Sequence, residues 1–258
     1  MDHIVNPLAA HIQTVKRRLI VIGATILASL IVTFSLSGQM VAWLNRPFQN
    51  QLAFYGPTEA LFASIKVSLL AAVILSLPVI FYQCWKFVEP ALLPKEQRWA
   101  IPLFFLAAGL FALGLVFCNL VILPLVIDFF VSFGLDRDVT PQLSVGTYID
   151  FNVKFLLIFG CAFELPLAMT LLAVTGVVSA KVFAQYRKHA ILSSLILSAI
   201  VTPDATLFTM LLMAVPLMAL YEIGILGARL FGRSSVDGPM DLPLDPDLPI
   251  GTAGTRLR

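Results

Sequence analysis

The chain has 258 residues, 59% of them hydrophobic and 12% charged, where an ordinary soluble domain carries roughly a quarter charged residues. A water-soluble fold is excluded, because the polar stretches between the apolar runs are too short to build a core of their own. The formal net charge of +2 points neither to nucleic acid nor to a strongly acidic substrate, so the placement of the charges matters more than their sum.

Lys16-Arg17-Arg18 followed by Leu19-Ile20-Val21 imitates an export signal. The apolar run continues to about Leu36, no small-x-small cleavage site closes it, and further spans follow, so it reads as an uncleaved first span. Six helices are expected, at about 19–41, 60–83, 101–127, 149–176, 189–203 and 207–227. Only helices satisfy their own backbone in hydrocarbon, and no run alternates with the period of two that a closed barrel needs. The fifth is about fifteen residues long. That gives ~22 Å at ~1.5 Å per residue, short of a ~30 Å hydrocarbon core, so it needs a thinned bilayer or shielding by its neighbours.

Cations sort by loop. One side gathers Lys16, Arg17, Arg18, Lys86, Lys95, Arg98, Lys181, Arg187, Lys188, Arg229, Arg233, Arg256 and Arg258, and the other has Arg46 and Arg137. The positive-inside rule then puts both termini and the 84–100 and 177–188 loops in the cytoplasm. The expected architecture is an all-α membrane protein with six transmembrane helices, its domain covering residues 1–231. From residue 232 to 258, Asp and Pro alternate with little to bury, which reads as a disordered cytoplasmic tail.

No phosphate-cradling Gly-rich loop, HExxH or GxSxG motif occurs, so an enzyme is not expected. Cys84, Cys118 and Cys161 are widely spaced and form no CxxC, so they read as small apolar residues rather than as a metal or redox site. No cofactor is implied. Inside the spans, Glu164 is the leading candidate site: it falls near mid-depth of the fourth helix, and Pro166 just after it invites a kink that leaves a carbonyl close to a carboxyl. Lys66, Lys154 and Glu222 lie nearer the span ends, where snorkelling or structural roles are expected. The segment Trp85 to Arg98 combines aromatic, proline and acidic residues. Its Glu89 and Glu96 could accept paired hydrogen bonds from guanidinium groups.

The joint order of these residues resembles the TatC family along most of the chain. The second span and its loop carry Glu59-Ala60-Leu61-Phe62, Lys66, Ser68, Pro78, Tyr82-Gln83, Trp85, Phe87, Pro90-Ala91-Leu92, Glu96 and Arg98. The third span adds Gly114, Phe117 and Pro124, the fourth Phe159-Gly160 and Phe163-Glu164-Leu165-Pro166, and the sixth Pro216 and Leu220-Tyr221-Glu222. The resemblance implies a subunit of the twin-arginine translocase in the cytoplasmic (inner) membrane. It would recognise the twin-arginine signal peptides of folded cargo and draw on the proton-motive force. By the same resemblance Glu96 falls at the signal-binding glutamate, with Phe87, Arg98, Lys16 and Arg18 around it, while Pro47 and Asp204 fall at functional positions of the outer loops. Single-span TatA-type and TatB-type proteins would dock along the fifth and sixth helices, in a complex holding several copies of the chain.

The sequence departs from the family pattern at Thr14, where a second glutamate is usual, at Lys16, where arginine is usual, and at the single Pro203. The rival class is a proton-coupled small-molecule transporter with Glu164 as its site, against which the lack of internal repeats weighs. An intramembrane protease is disfavoured by the missing catalytic motifs.

Overall fold

The protein's structure, a computed structural model, describes residues 2–45, 56, 58–88, 100–135, 144–202 and 206–232. These residues build ten α-helices: α1 (Asp2–Ser35), α2 (Ser37–Asn45), α3 (Glu59–Val88), α4 (Ala100–Phe117), α5 (Leu123–Leu135), α6 (Val145–Phe163), α7 (Leu165–Val174), α8 (Ala180–Gln185), α9 (Arg187–Val201) and α10 (Leu207–Phe231). Five stretches are long and apolar enough to cross a membrane: Gln13–Ser35, Glu59–Lys86, Ile101–Phe130, Val145–Val174 and Leu207–Phe231. With 15 residues, α9 falls short of a full crossing and lies against α10.

The helices outrun the hydropathy pattern. Apolar composition marks only what lipid must solvate, whereas backbone hydrogen bonding continues as far as the chain permits. Thus α1 starts well before the first span, and α3 ends at Val88 rather than near residue 83.

Two expected continuous helices are interrupted, each beside a proline. Between α4 and α5 the chain passes through a π-helical turn, Cys118–Ile122, in which the Leu123 N–H reaches back to the Cys118 carbonyl. Pro124 follows at once. It has no N–H for the Leu120 carbonyl and its ring presses on that carbonyl, so the preceding turn widens. Similarly, Pro166 cannot donate to Ala162, and the helix breaks at Glu164 between α6 and α7.

Small residues let the helices approach closely, as is usual where lipid supplies no hydrophobic drive between them. Along α1 and α3, the Ser29 and Ser76 hydroxyls meet at 3.0 Å. Nearby, the Thr33 hydroxyl lies between the Ser29 and Ser68 carbonyl oxygens, at 3.0 and 2.9 Å, and donates to one at a time. Phe155, Phe159 and Met213, all fully buried, form the core where α6 meets α10 and the π turn.

A close approach of backbone to backbone joins α4 to α6. A Cβ on Gly114 would stand 2.6 Å from the Phe159 carbonyl oxygen, and one on Gly160 would stand 2.7 Å from the Phe111 ring. A carbonyl cannot swing aside as a flexible side chain can. Gly114→Ala is therefore expected to cost about 1–3 kcal/mol, as overpacking does. It should lower both the melting temperature of the purified protein and its abundance in the membrane. Gly109, on the same helix, has nothing within 4 Å of its would-be Cβ. Gly109→Ala should leave both measurements unchanged, and equal losses for the two variants would refute the packing account.

Candidate functional site

Long-range contacts give the bundle two chemically distinct ends. At one, the middle of α1 meets the end of α3, where the Arg18 Nη1 donates to the Gln83 carbonyl at 3.5 Å. There too the elbow between α8 and α9 meets α10, with Arg187 paired to Glu222 at 2.8 Å and the Tyr221 hydroxyl donating to the Phe183 carbonyl at 2.8 Å. Lys16, Arg17, Lys86, Lys181, Lys188 and Arg229 belong to this same end by their places in the helices. We call it the basic end.

At the far end, the Glu59 carboxylate accepts from the Gly146 N–H at 2.7 Å and from the Ser144 hydroxyl. Ser144 in turn caps α6 by accepting from the Thr147 N–H at 3.2 Å. An acidic side chain on the exposed amides of a helix start is favourable both as a hydrogen bond and against the helix dipole. Deeper along the same interface, Lys66 pairs with Asp150.

Glu164 stands between these ends. Its backbone is helical (φ −76°, ψ −18°) but caps α6. Its carbonyl accepts from the Ala168 N–H at 2.9 Å, restarting the hydrogen-bond ladder in α7. The carboxyl lies beside the Phe111 backbone, within electrostatic reach of Cys84 on α3 and Cys161 on α6. Its Oε1 is fully buried and has no hydrogen-bond partner among the described residues. Such an atom is costly to leave unmatched in a low-dielectric setting.

Counting from the ends of the Val145–Val174 stretch, Glu164 lies about 15 Å from the basic end and about 28 Å from the far end at ~1.5 Å per residue, the far-end distance including the turn by which α6 precedes the apolar run.

The residues singled out for signal binding are reached unevenly. Arg18 bridges α1 to α3, and Lys16 is exposed two positions before it. Phe87 lies in the last turn of α3, with its side chain outside the described part, and Glu96, Arg98, Pro47 and Asp204 lie outside the described residues. Lys66 was expected to snorkel and is instead ion-paired. The structural role expected for Glu222 agrees with its pairing to Arg187. Of the three thiols, only Cys118 is buried, whereas Cys84 and Cys161 are exposed on the bundle surface. The Glu59 clamp and Asp150 were missed. Each pairs with a residue more than eighty positions away, and nothing local in the sequence announces such a partner.

Five long apolar stretches and a cation-rich end define a multi-pass integral membrane protein. Among the described residues no three His, Cys, Asp or Glu side chains converge as metal ligands would. The family model for "Sec-independent protein translocase protein (TatC)" matches residues 10–216. The Sec-independent protein translocase protein TatC of Aquifex aeolicus is 37% identical over 233 residues, 88% of this chain and 96% of that protein. Its counterpart in Campylobacter jejuni is also 37% identical, over 226 residues, 85% of this chain and 92% of that protein. A crystal structure of a twin-arginine translocase receptor, TatC, superposes with a TM-score of 0.79 at 37% identity, covering 86% of this chain and all of that one. The chain belongs to the TatC family. It is accordingly a multi-pass inner-membrane component of the Sec-independent protein translocase, a transport subunit and not an enzyme.

Proposed function

We propose that this chain recognises twin-arginine signal peptides and, using the proton-motive force, passes their folded cargo across the cytoplasmic membrane. The observation that carries the reading is the family match from residue 10 to residue 216, which takes in both the Lys16–Arg18 cluster and the loop holding Glu96. In this reading Glu96 receives the arginine pair, with Phe87, Arg98, Lys16 and Arg18 shaping the surrounding surface. Pro47 and Asp204 act in the outer loops. TatA-type and TatB-type single-span proteins pack along α9 and α10, whose outward faces carry Ile196, Ile200, Leu211 and Val215 as exposed apolar residues. Several copies of the chain share one complex.

The six-crossing topology belongs to the same proposal, with α9 as the fifth crossing and the basic end in the cytoplasm. The distribution of cations supports it. The short α9 crosses where its neighbours and a thinned bilayer accommodate it. A proton-coupled small-molecule transporter would also use an interior carboxyl, but the family match weighs against it.

One experiment tests the whole reading in cells lacking their own TatC. Expressed with single-span partners, the chain should restore export of a reporter bearing a twin-arginine signal, and should fail with a lysine pair in its place. In the same cells, single cysteines placed at Lys95 and Lys188 in a cysteine-free chain should resist a membrane-impermeant thiol reagent applied from outside. Export indifferent to the arginine pair, or labelling at either loop, overturns the proposal.

A further inference from the structure

A cavity of about 570 Å³ opens on the bundle surface between the α1–α2 junction, α3 and α4. Twelve of the fourteen side chains that line it are apolar, two are amides, Gln39 and Asn119, and none is charged. Trp43 and Leu120 at its rim are exposed, so the cavity opens sideways towards lipid. Its position in depth is informative. The mouth lies where the first crossing stops, since α1 ends at Ser35 and Gln39 follows in α2. Its lining also takes in Ile74 and Leu115, which stand near the middle of the Glu59–Lys86 and Ile101–Phe130 crossings. The cavity therefore runs from one membrane interface to mid-bilayer.

We propose that this cavity binds the acyl chains of a phospholipid drawn from the leaflet at the far end of the bundle. Along the crossing α3, the lining residues from Val67 to Ile74 span about 10 Å at ~1.5 Å per residue, within the ~15 Å of hydrocarbon in one leaflet. A membrane-crossing helix would run the full ~30 Å of hydrocarbon, whereas the cavity, like an acyl chain, ends at mid-bilayer. An extended peptide would fit, but it would set its backbone N–H and C=O groups against walls that offer only two amides. Acyl chains carry no such groups. Gln39 at the mouth, whose amide has no intramolecular partner among the described residues, is placed to donate to an ester carbonyl, and Trp43 suits the interface.

The test uses the purified full chain in phosphatidylethanolamine and phosphatidylglycerol vesicles containing a trace of phospholipid with a diazirine midway along one acyl chain. Crosslinks are mapped by mass spectrometry. Residues 67–74 and 115–120 should be labelled at least about threefold more than the lipid-facing positions Leu211 and Val215 of α10. Ala71→Trp, which fills the cavity, should reduce that labelling to the α10 level while α10 labelling and the melting temperature hold. Val116→Trp at the rim serves if Ala71→Trp does not fold. Equal labelling of cavity and α10 in the unaltered chain overturns the proposal, as does undiminished labelling in a well-folded filled variant. So does displacement of the lipid label by a twin-arginine signal peptide that itself crosslinks to residues 67–74, since the occupant would then be peptide. The assay contains no cargo, so failure here leaves the translocase reading untouched.

Discussion

Glu96→Ala is expected to reduce binding of a twin-arginine signal peptide to the purified protein by roughly ten- to hundredfold, and to stop export of the reporter in cells. Hydrogen bonds to charged groups contribute about 1.5–3 kcal/mol each, and a fork of guanidinium on carboxylate makes two in fixed geometry. The effect should be concentrated on this residue because Thr14, where the resemblance to the family implies a second glutamate, supplies no carboxylate. Glu96→Asp keeps the charge but shortens the reach, and should fall between the two. Thr14→Glu should tighten binding. The measurement is titration of a labelled signal peptide, with its lysine-pair version as reference, since lysine supplies charge without the planar fork. Unchanged affinity in Glu96→Ala would remove this glutamate from the binding site.

How far the sequence foretold the structure depended on the range of the physics involved. Hydropathy acts locally, so all the membrane-crossing stretches could be read from it, as could the short α9, whose 15 residues match the expected length. Proline chemistry is local too. A kink near Glu164 was legible from Pro166, although the helix in fact breaks there, and the π turn before Pro124 was not foreseen, because a proline can be absorbed by a kink, a break or a widened turn, and neighbouring helices decide which. The pairings of Lys66 with Asp150 and of Glu59 with the start of α6 depend on which helices become neighbours, and a single chain read in order does not contain that. The same holds for the unmatched Oε1 of Glu164. Its identity and span were legible, but that packing would bury the atom without a partner was not.

Glu164→Leu is expected to abolish or severely reduce export while leaving the purified protein as stable as before, or more so. The structure supplies the reason. If the carboxyl were a structural anchor, its removal would strand the groups that bond to it, but Oε1 has no partner to strand among the described residues, and the Phe111 backbone beside the carboxyl lies within α4, where the helical ladder can satisfy it. An unmatched buried polar atom costs about 1–3 kcal/mol, and an apolar side chain of similar size removes that cost, so the melting temperature should hold or rise. Loss of function without loss of stability is the pattern of a residue kept for its task rather than for the fold. Glu164→Gln separates two versions of the task. A neutral amide keeps hydrogen-bonding capacity close to that of a protonated carboxyl, so if the site receives a polar group from a partner or a signal peptide, glutamine should retain a substantial part of the export. If the site must release and rebind a proton in each cycle, glutamine should fail as completely as leucine. Export, membrane abundance and melting temperature need to be measured together for the two variants. Should Glu164→Leu lose stability and export in parallel, the carboxyl is a structural anchor after all. Should both variants export normally at normal abundance, the break at Phe163-Glu164-Leu165-Pro166 shapes the helix alone, and its carboxyl has no part in translocation.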